Sequence, residues 1–252
     1  DATGTVGAAA NIAINAGDGQ SATAGTAVAT DPRVLVTDAN GNPVSGETVT
    51  FAVATGGGSV SSATATTDAN GLASTGWTLG TTAGANTLTA SSSAGSVTFS
   101  ATGTVGAATT IAIDAGDGQT GTAGAALPTD PRVLVTDSGG NAVPNETVTF
   151  TVVSGGGSVS LATVNTNASG LASVTWTLGT SVGANSLTAS LTGGAPSVTF
   201  TATGTVGPAV NIAINAGNGQ TATAGTAVAT DPQVLVTDAN GNPVSGETVT
   251  FA

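Results

Sequence analysis

Apolar and polar positions alternate along most of this chain with a period of two. Val49, Phe51 and Val53 interleave with Thr48 and Thr50, and Val97, Phe99 and Ala101 with Thr98 and Ser100. A strand sends successive side chains to opposite faces, so this pattern predicts strands with one buried and one wet face. Ile12 with Ile14, Val34 with Val36, the Thr75–Trp77–Leu79 set and Leu88 with Ala90 complete about seven strands in one block. Between them stand residues that tight turns need: Asp38-Ala-Asn-Gly-Asn-Pro43, Gly56-Gly-Gly58 and Asp68-Ala-Asn-Gly71. No segment has the period of an amphipathic helix. The expected class is all-β, an immunoglobulin-like sandwich with one tryptophan per complete block and no inter-sheet disulfide.

The block repeats. Residues 1–52 return at 201–252 with changes only at positions 1, 8, 10, 18, 21 and 33, and Ile12, Asp31, Glu47 and Trp77 return as Ile111, Asp130, Glu146 and Trp176. The marker ATGTVG stands at 2–7, 101–106 and 202–207. Repeats of this length are whole domains in series. The boundaries expected are 1–7 as the tail and linker of a preceding repeat, 8–102 and 107–203 as complete domains, and 208–252 as the first half of a third. Two additional residues of the second copy fall near Gly193 to Pro196, in a hairpin tip where an insertion leaves the strands in register. The connectors are short and lack the Gly/Ser or Pro composition of a loose linker, so neighbouring domains are expected end to end with limited bending.

VTDANGNPVSGETVTF at 36–51, the glycines 56–58, TTDANGLASTGWTLG at 66–80 and AGANTLTAS at 83–91 resemble the group 1 bacterial Ig-like repeat of invasin- and intimin-type surface proteins. The resemblance spans each full repeat. It implies tandem Ig-like sandwiches at a bacterial cell surface, where most such domains form a stalk and adhesion belongs to terminal domains of different sequence.

Composition removes most chemistry. The 252 residues contain no His, Cys, Lys, Met or Tyr, and the only cations are Arg33 and Arg132. Ser/His/Asp, Cys/His and Lys-based nucleophiles cannot be assembled, nor can a zinc, haem or iron–sulfur site that needs His or Cys. Without Cys or Lys there is also no disulfide, thioester or Lys–Asn crosslink. A net charge of −12 excludes nucleic acid and anionic membrane as partners. No apolar run approaches the ~18 residues of a membrane span.

Oxygen-ligand sites remain to be weighed. Asp38, Asn40 and Asn42 alternate like the start of a calcium loop, but Gly139 replaces the middle ligand in the second copy and Glu47 stands too close for the closing acid, which favours a hairpin turn. Asp18 and Asp117, with Asn218 in the third copy, could clamp calcium between neighbours; solvated loop acids are the favoured reading. Asp31-Pro32-Arg33 suggests a local ion pair that Gln233 shows to be dispensable. Trp77 and Trp176 could stack on sugar, but a lone Trp on an alternating strand is expected to plug the core. No catalytic, metal or cofactor residue is therefore expected. Charged residues make up 6% of the chain against about 25% in ordinary soluble domains, and hydroxyls take their place. Thr48, Thr50, Thr87, Thr89, Thr98 and Ser100 are candidate O-glycan positions, and Asn145-Glu-Thr and Asn167-Ala-Ser are N-glycosylation sequons.

These features point to a structural role, a stalk or fibre segment of a long extracellular bacterial surface protein. Its partners would be neighbouring repeats of the same chain, identical chains in a fibre and covalent glycans. The alternative is an adhesin whose repeats themselves bind a receptor or associate laterally. An enzyme would need paired carboxylates in a cleft, and no cleft-forming insertion accompanies the acids.

Overall fold

The computed structural model describes residues 5–252, among which there is no helix. In the first copy the chain forms β1 (Asn11–Ala16), β2 (Gln20–Thr23), β3 (Arg33–Thr37), β4 (Thr48–Thr55), β5 (Gly58–Val60), β6 (Thr64–Thr66), β7 (Leu72–Ser74), β8 (Trp77–Leu79), β9 (Gly84–Ser92) and β10 (Gly95–Thr104). The second copy repeats the series as β11 (Thr110–Ala115), β12 (Gln119–Thr122), β13 (Arg132–Thr136), β14 (Thr147–Ser154), β15 (Gly157–Val159), β16 (Thr163–Asn165), β17 (Leu171–Ser173), β18 (Trp176–Leu178), β19 (Gly183–Leu191) and β20 (Ser197–Thr205). The third contributes β21 (Asn211–Ala216) and β22 (Gln233–Thr237). The chain divides into two compact units, 1–109 with 136–143, and 110–135 with 144–252.

In the first unit a three-stranded sheet, β1-β3-β7, covers a five-stranded one, β2-β10-β9-β4-β6, and a short ribbon of β5 and β8 closes one side. The period-two pattern decides which face goes inward. On β4, Val49 and Phe51 are buried while Thr48 and Thr50 are exposed, and on β9, Leu88 and Ala90 are buried. Trp77, 1% exposed, plugs the middle of this core beside Val34, Val36, Phe51, Leu79 and Phe99. Its indole N–H has no hydrogen-bond partner, so it contributes through apolar area alone. Trp176 is buried in the same way in the second unit, where sheets β11-β13-β17 and β12-β20-β19-β14-β16 repeat the topology. The sugar-stacking alternative fails because both rings are inaccessible.

Two features go beyond the alternation. Strand β2 pairs parallel to β10, Gln20 opposite Ala101, so residues from opposite ends of the copy lie side by side. The three glycines 56–58 meet the chain at Gly80 so closely that a Cβ there would fall on the Gly56 carbonyl; only glycine can occupy this crossing. The Thr75–Trp77–Leu79 set does share the buried face, but Thr75 lies just outside a strand, its hydroxyl donating to the Ser62 carbonyl at 2.9 Å.

Candidate functional site at the repeat junction

The acids singled out in the sequence do not converge on an ion. Asp18 Oδ1 accepts the Ser100 amide at 2.8 Å and the Ser100 hydroxyl at 2.9 Å, and Asp117 does the same for Thr201 at 2.7 and 3.0 Å. These bonds, led by the backbone one, hold both carboxylates below the usual range. The two acids tie the loop before β2 or β12 to β10 or β20 of the same sandwich. Arg33 does not close on Asp31; its Nε donates to Asn15 Oδ1 at 2.7 Å across the β1–β3 pair. Arg132 pairs with Asp114 at the same place, and in the third copy Asn215 donates to Gln233 at 3.2 Å. Among the described residues no three Asp or Glu side chains gather in a metal-sized group.

The turn Asp38–Pro43 does carry a built site. Asp38 Oδ1 accepts the amides of Asn40 and Asn42, both at 2.9 Å, the arrangement of an Asx turn. Asn42 Nδ2 donates to Asp38 Oδ2 at 3.0 Å, and the amide of Gly7, the last residue of the ATGTVG marker, donates to the same oxygen at 2.9 Å. Asp38 is 2% exposed, so the carboxylate is a buried knot that binds the connector to the turn. These bonds, the Asn42 side chain first, bring its pKa down to about 2. Asp137 takes the Gly106 amide at 2.8 Å and Asp238 the Gly207 amide at 3.0 Å. Asp238 is likewise lowered to about 2, chiefly by Asn242. For Asp137, burial pushes upward, and the bonds from Gly106, Asn141 and Gly139 outweigh it.

The asparagine that closes each turn then reaches the preceding repeat. In the first unit Asn141 Nδ2 donates to the Thr81 carbonyl at 2.8 Å while its Oδ1 accepts the Ala83 amide at 2.8 Å. In the second unit Asn242 Nδ2 donates to the Thr180 carbonyl at 2.9 Å, and the Val182 amide approaches its Oδ1 at 3.4 Å. A side-chain amide that both donates to and accepts from one backbone segment mimics a strand pairing and fixes direction as well as distance. The receiving loop is itself braced: buried Asn86 accepts the Gly80 amide at 3.1 Å and donates to the Gly84 carbonyl at 3.1 Å, and Asn185 repeats this with Gly179 and Gly183.

The turn reading of Asp38-Asn40-Asn42 is therefore right in local geometry and incomplete in role. The signal for that role was in the sequence: Asp38 and Asn42 persist as Asp137 and Asn141 and as Asp238 and Asn242, whereas Ala39 and Asn40 between them become Ser138 and Gly139 in the second copy. Asn86 and Asn185, in the repeated AGAN, were not singled out. The glycan candidates lie on the outer face of the five-stranded sheet. Thr48, Thr50, Thr98 and Ser100 are exposed and Thr87 and Thr89 half-buried, with Thr89 opposite Thr98 and Thr87 opposite Ser100. The Thr87 hydroxyl is engaged by Thr55 at 2.7 Å and that of Ser100 by Asp18. Asn145 and Asn167 are both exposed, Asn145 with a φ of 59° and Asn167 as the cap of a turn through Ser169 and Leu171.

No protein-family model matches the sequence, and no curated protein matches it. Solved structures do. FdeC, an Escherichia coli adhesin, is 20% identical with a TM-score of 0.53, the match covering 96% of this chain and 78% of that one. InvD of Yersinia pseudotuberculosis is 19% identical over 89% of this chain and 69% of its own, TM-score 0.48. Invasin, a bacterial integrin-binding protein, is 22% identical over 94% of this chain and 48% of its own, TM-score 0.42. The chain shares with the first of these a fold of serial immunoglobulin-like β-sandwiches, of the type expected from its repeats.

Proposed function

We propose that this chain is a structural spacer, a stalk or fibre segment of an extracellular bacterial surface protein, whose work is reach and stiffness. The observation that carries this reading is the junction: twice, an Asp/Asn turn is knotted to its connector and hydrogen-bonded to the end loop of the preceding repeat. A connector held at both ends converts each repeat into a fixed increment of length, where a free linker would let the domains tumble. Residue types support a role without catalysis: there is no His, Cys or Lys, and Asp18, Asp38, Asp117, Asp137 and Asp238 are engaged in turns and loop ties. The fold shared with an adhesin is compatible with a surface location. Electron microscopy of tandem arrays tests the reading together with retention of beads coated with the 252-residue chain. A constant rise per added repeat with no retention by cells or matrix supports the spacer. Retention above uncoated beads would favour the alternative, an adhesin whose repeats bind directly.

The outer face of the five-stranded sheet supports a second proposal, covalent O-glycosylation. Thr48, Thr50 and Thr98 stand exposed on a face whose strands carry no charged side chain. Thr87 and Ser100, already hydrogen-bonded, and Thr89, half-buried, are the poorer acceptors of the set. Asn145 and Asn167 remain the N-linked candidates. The intact mass of protein from its native source decides this: hexose-spaced increments mapping to Thr48, Thr50 or Thr98 peptides support it, and the bare polypeptide mass rejects it.

A further inference from the structure

The three turns are of two kinds, and the two junctions use the difference. The second copy reads Asp137-Ser-Gly-Gly-Asn-Ala142, while the first and third read Asp-Ala-Asn-Gly-Asn-Pro at 38–43 and 238–243. At the junction of the first unit the turn sits tightly. Asn141 makes both its bonds to Thr81 and Ala83 at 2.8 Å, and a Cβ on Gly139 would stand 2.5 Å from the Thr81 carbonyl oxygen. A residue with a side chain cannot occupy that position without lifting the turn off the loop.

At the junction of the second unit the receiving loop has Val182 where the other has Ala83, and the asparagine still donates to the loop carbonyl, Asn242 to Thr180 at 2.9 Å. The Val182 contact to Asn242 is stretched to 3.4 Å. Asn240, the counterpart of Gly139, adds a bond there, its Nδ2 donating to the Ala123 carbonyl at 2.8 Å. One bond is longer at this junction and another is gained from the Asn240 side chain. Each turn is thus matched to its own receiving end: glycine at the variable position with the alanine loop, asparagine with the valine loop.

The turn of the first copy, Asp38–Pro43, has the asparagine form. Among the described residues the side chain of Asn42 bonds only to Asp38. We infer that the turn Asp38–Pro43 is a docking surface selective for the distal end of a second-copy-type repeat, presenting the carbonyls equivalent to Ala123 and Thr180 and the amide equivalent to Val182. Against a first-copy-type end, the Cβ of Asn40 meets the carbonyl equivalent to Thr81. The array then has a grammar in which the two kinds of repeat alternate, and this holds whether the array serves as a spacer or binds along its length.

The test extends the full chain at its N-terminus in two ways, joining either residues 107–207 or residues 8–106 directly to residue 8. Hydrogen exchange of the Asn42 side-chain amide is then followed by NMR, with Asn242 of the same molecule as reference. Behind 107–207 the Asn42 amide slows by on the order of tenfold, the change expected from about one net hydrogen bond. Behind 8–106 it stays at the rate of the unextended chain, and Asn40→Gly restores slowing there. Equal slowing behind both extensions, or none behind 107–207 while Asn242 remains slow, overturns the inference.

Discussion

Residues 11–52 and 211–252 are nearly the same sequence in two surroundings. In the first, β9, β10 and Trp77 lie over the apolar face, and Val34 and Phe51 are 0% and 1% exposed. In the second, only β21 and β22 form; Ile212, Ile214 and Phe251 are 61%, 64% and 63% exposed, and Val234 and Val236 are half-covered. The turn does not register the change: Asp38 and Asp238 are 2% and 1% exposed and keep the same partners. Core burial is a property of the whole repeat, because one sheet has nothing to pack on until the other exists. The Asp/Asn knot is a property of the turn and its connector, and it is complete before the sandwich is.

Removing the core plug should separate the two properties most sharply. Trp77→Ala is expected to destabilise the first sandwich by about 3–5 kcal/mol, the range for emptying a large aromatic site. Chemical unfolding followed by amide exchange at Phe51 and Leu88 reads it, and an unchanged midpoint would mean the core is not organised around this ring. Leaving the sequence intact and comparing the copies gives the next effect. Backbone amides of Ile12, Ile14, Val34 and Val36 should exchange at least about a hundredfold more slowly than those of Ile212, Ile214, Val234 and Val236, since protection follows the local cost of opening. Equal protection would show that residues 208–252 are cooperatively folded on their own.

Smaller effects belong to the turn. Asn242→Ala should lower stability of the second junction by about 0.5–1.5 kcal/mol, the net worth of a hydrogen bond, with the second sandwich's core exchange unchanged. Acid should act alike on the first and third turns. Asp38 and Asp238 titrate at about 2 when folded against an ordinary 3.8, so their contribution is present above the ordinary value and fades as pH falls toward 2. NMR titration of the Gly7 and Gly207 amides should therefore show little change above pH 4 and joint release near pH 2. Release near the ordinary value would break the comparison. Chelation of calcium should leave the melting temperature where it was, because Asp18 and Asp117 are spent on Ser100 and Thr201.

What the sequence discloses follows from how far apart the interacting residues lie. Alternation along β4 and β10 is a local signal, and it identifies the buried faces and the role of Trp77 directly. The parallel pairing of β2 with β10 joins residues about eighty positions apart through backbone groups that every sequence possesses, so nothing in Gln20 or Ala101 announces it. The junction lies between these cases. Asp38 and Asn42 are legible as a turn, but their reach to another repeat is carried by an asparagine amide meeting main-chain atoms, and only its persistence across copies marks it. Asn86 and Asn185 read as ordinary polar strand residues until burial shows that each shapes a receiving loop.

The central claim, that the asparagine clasp fixes one repeat against the next, is tested most directly across the second junction. The chain has no cysteine, so Thr199→Cys and Ala213→Cys, both exposed positions on the two sides of the connector, accept a spin label each. Pulsed dipolar spectroscopy then gives the distribution of label-to-label distances. The account predicts a single narrow population that broadens when Asn240→Gly and Asn242→Ala remove the bonds to Ala123 and Thr180. A distribution already broad with both asparagines present, or one that stays narrow without them, would contradict it.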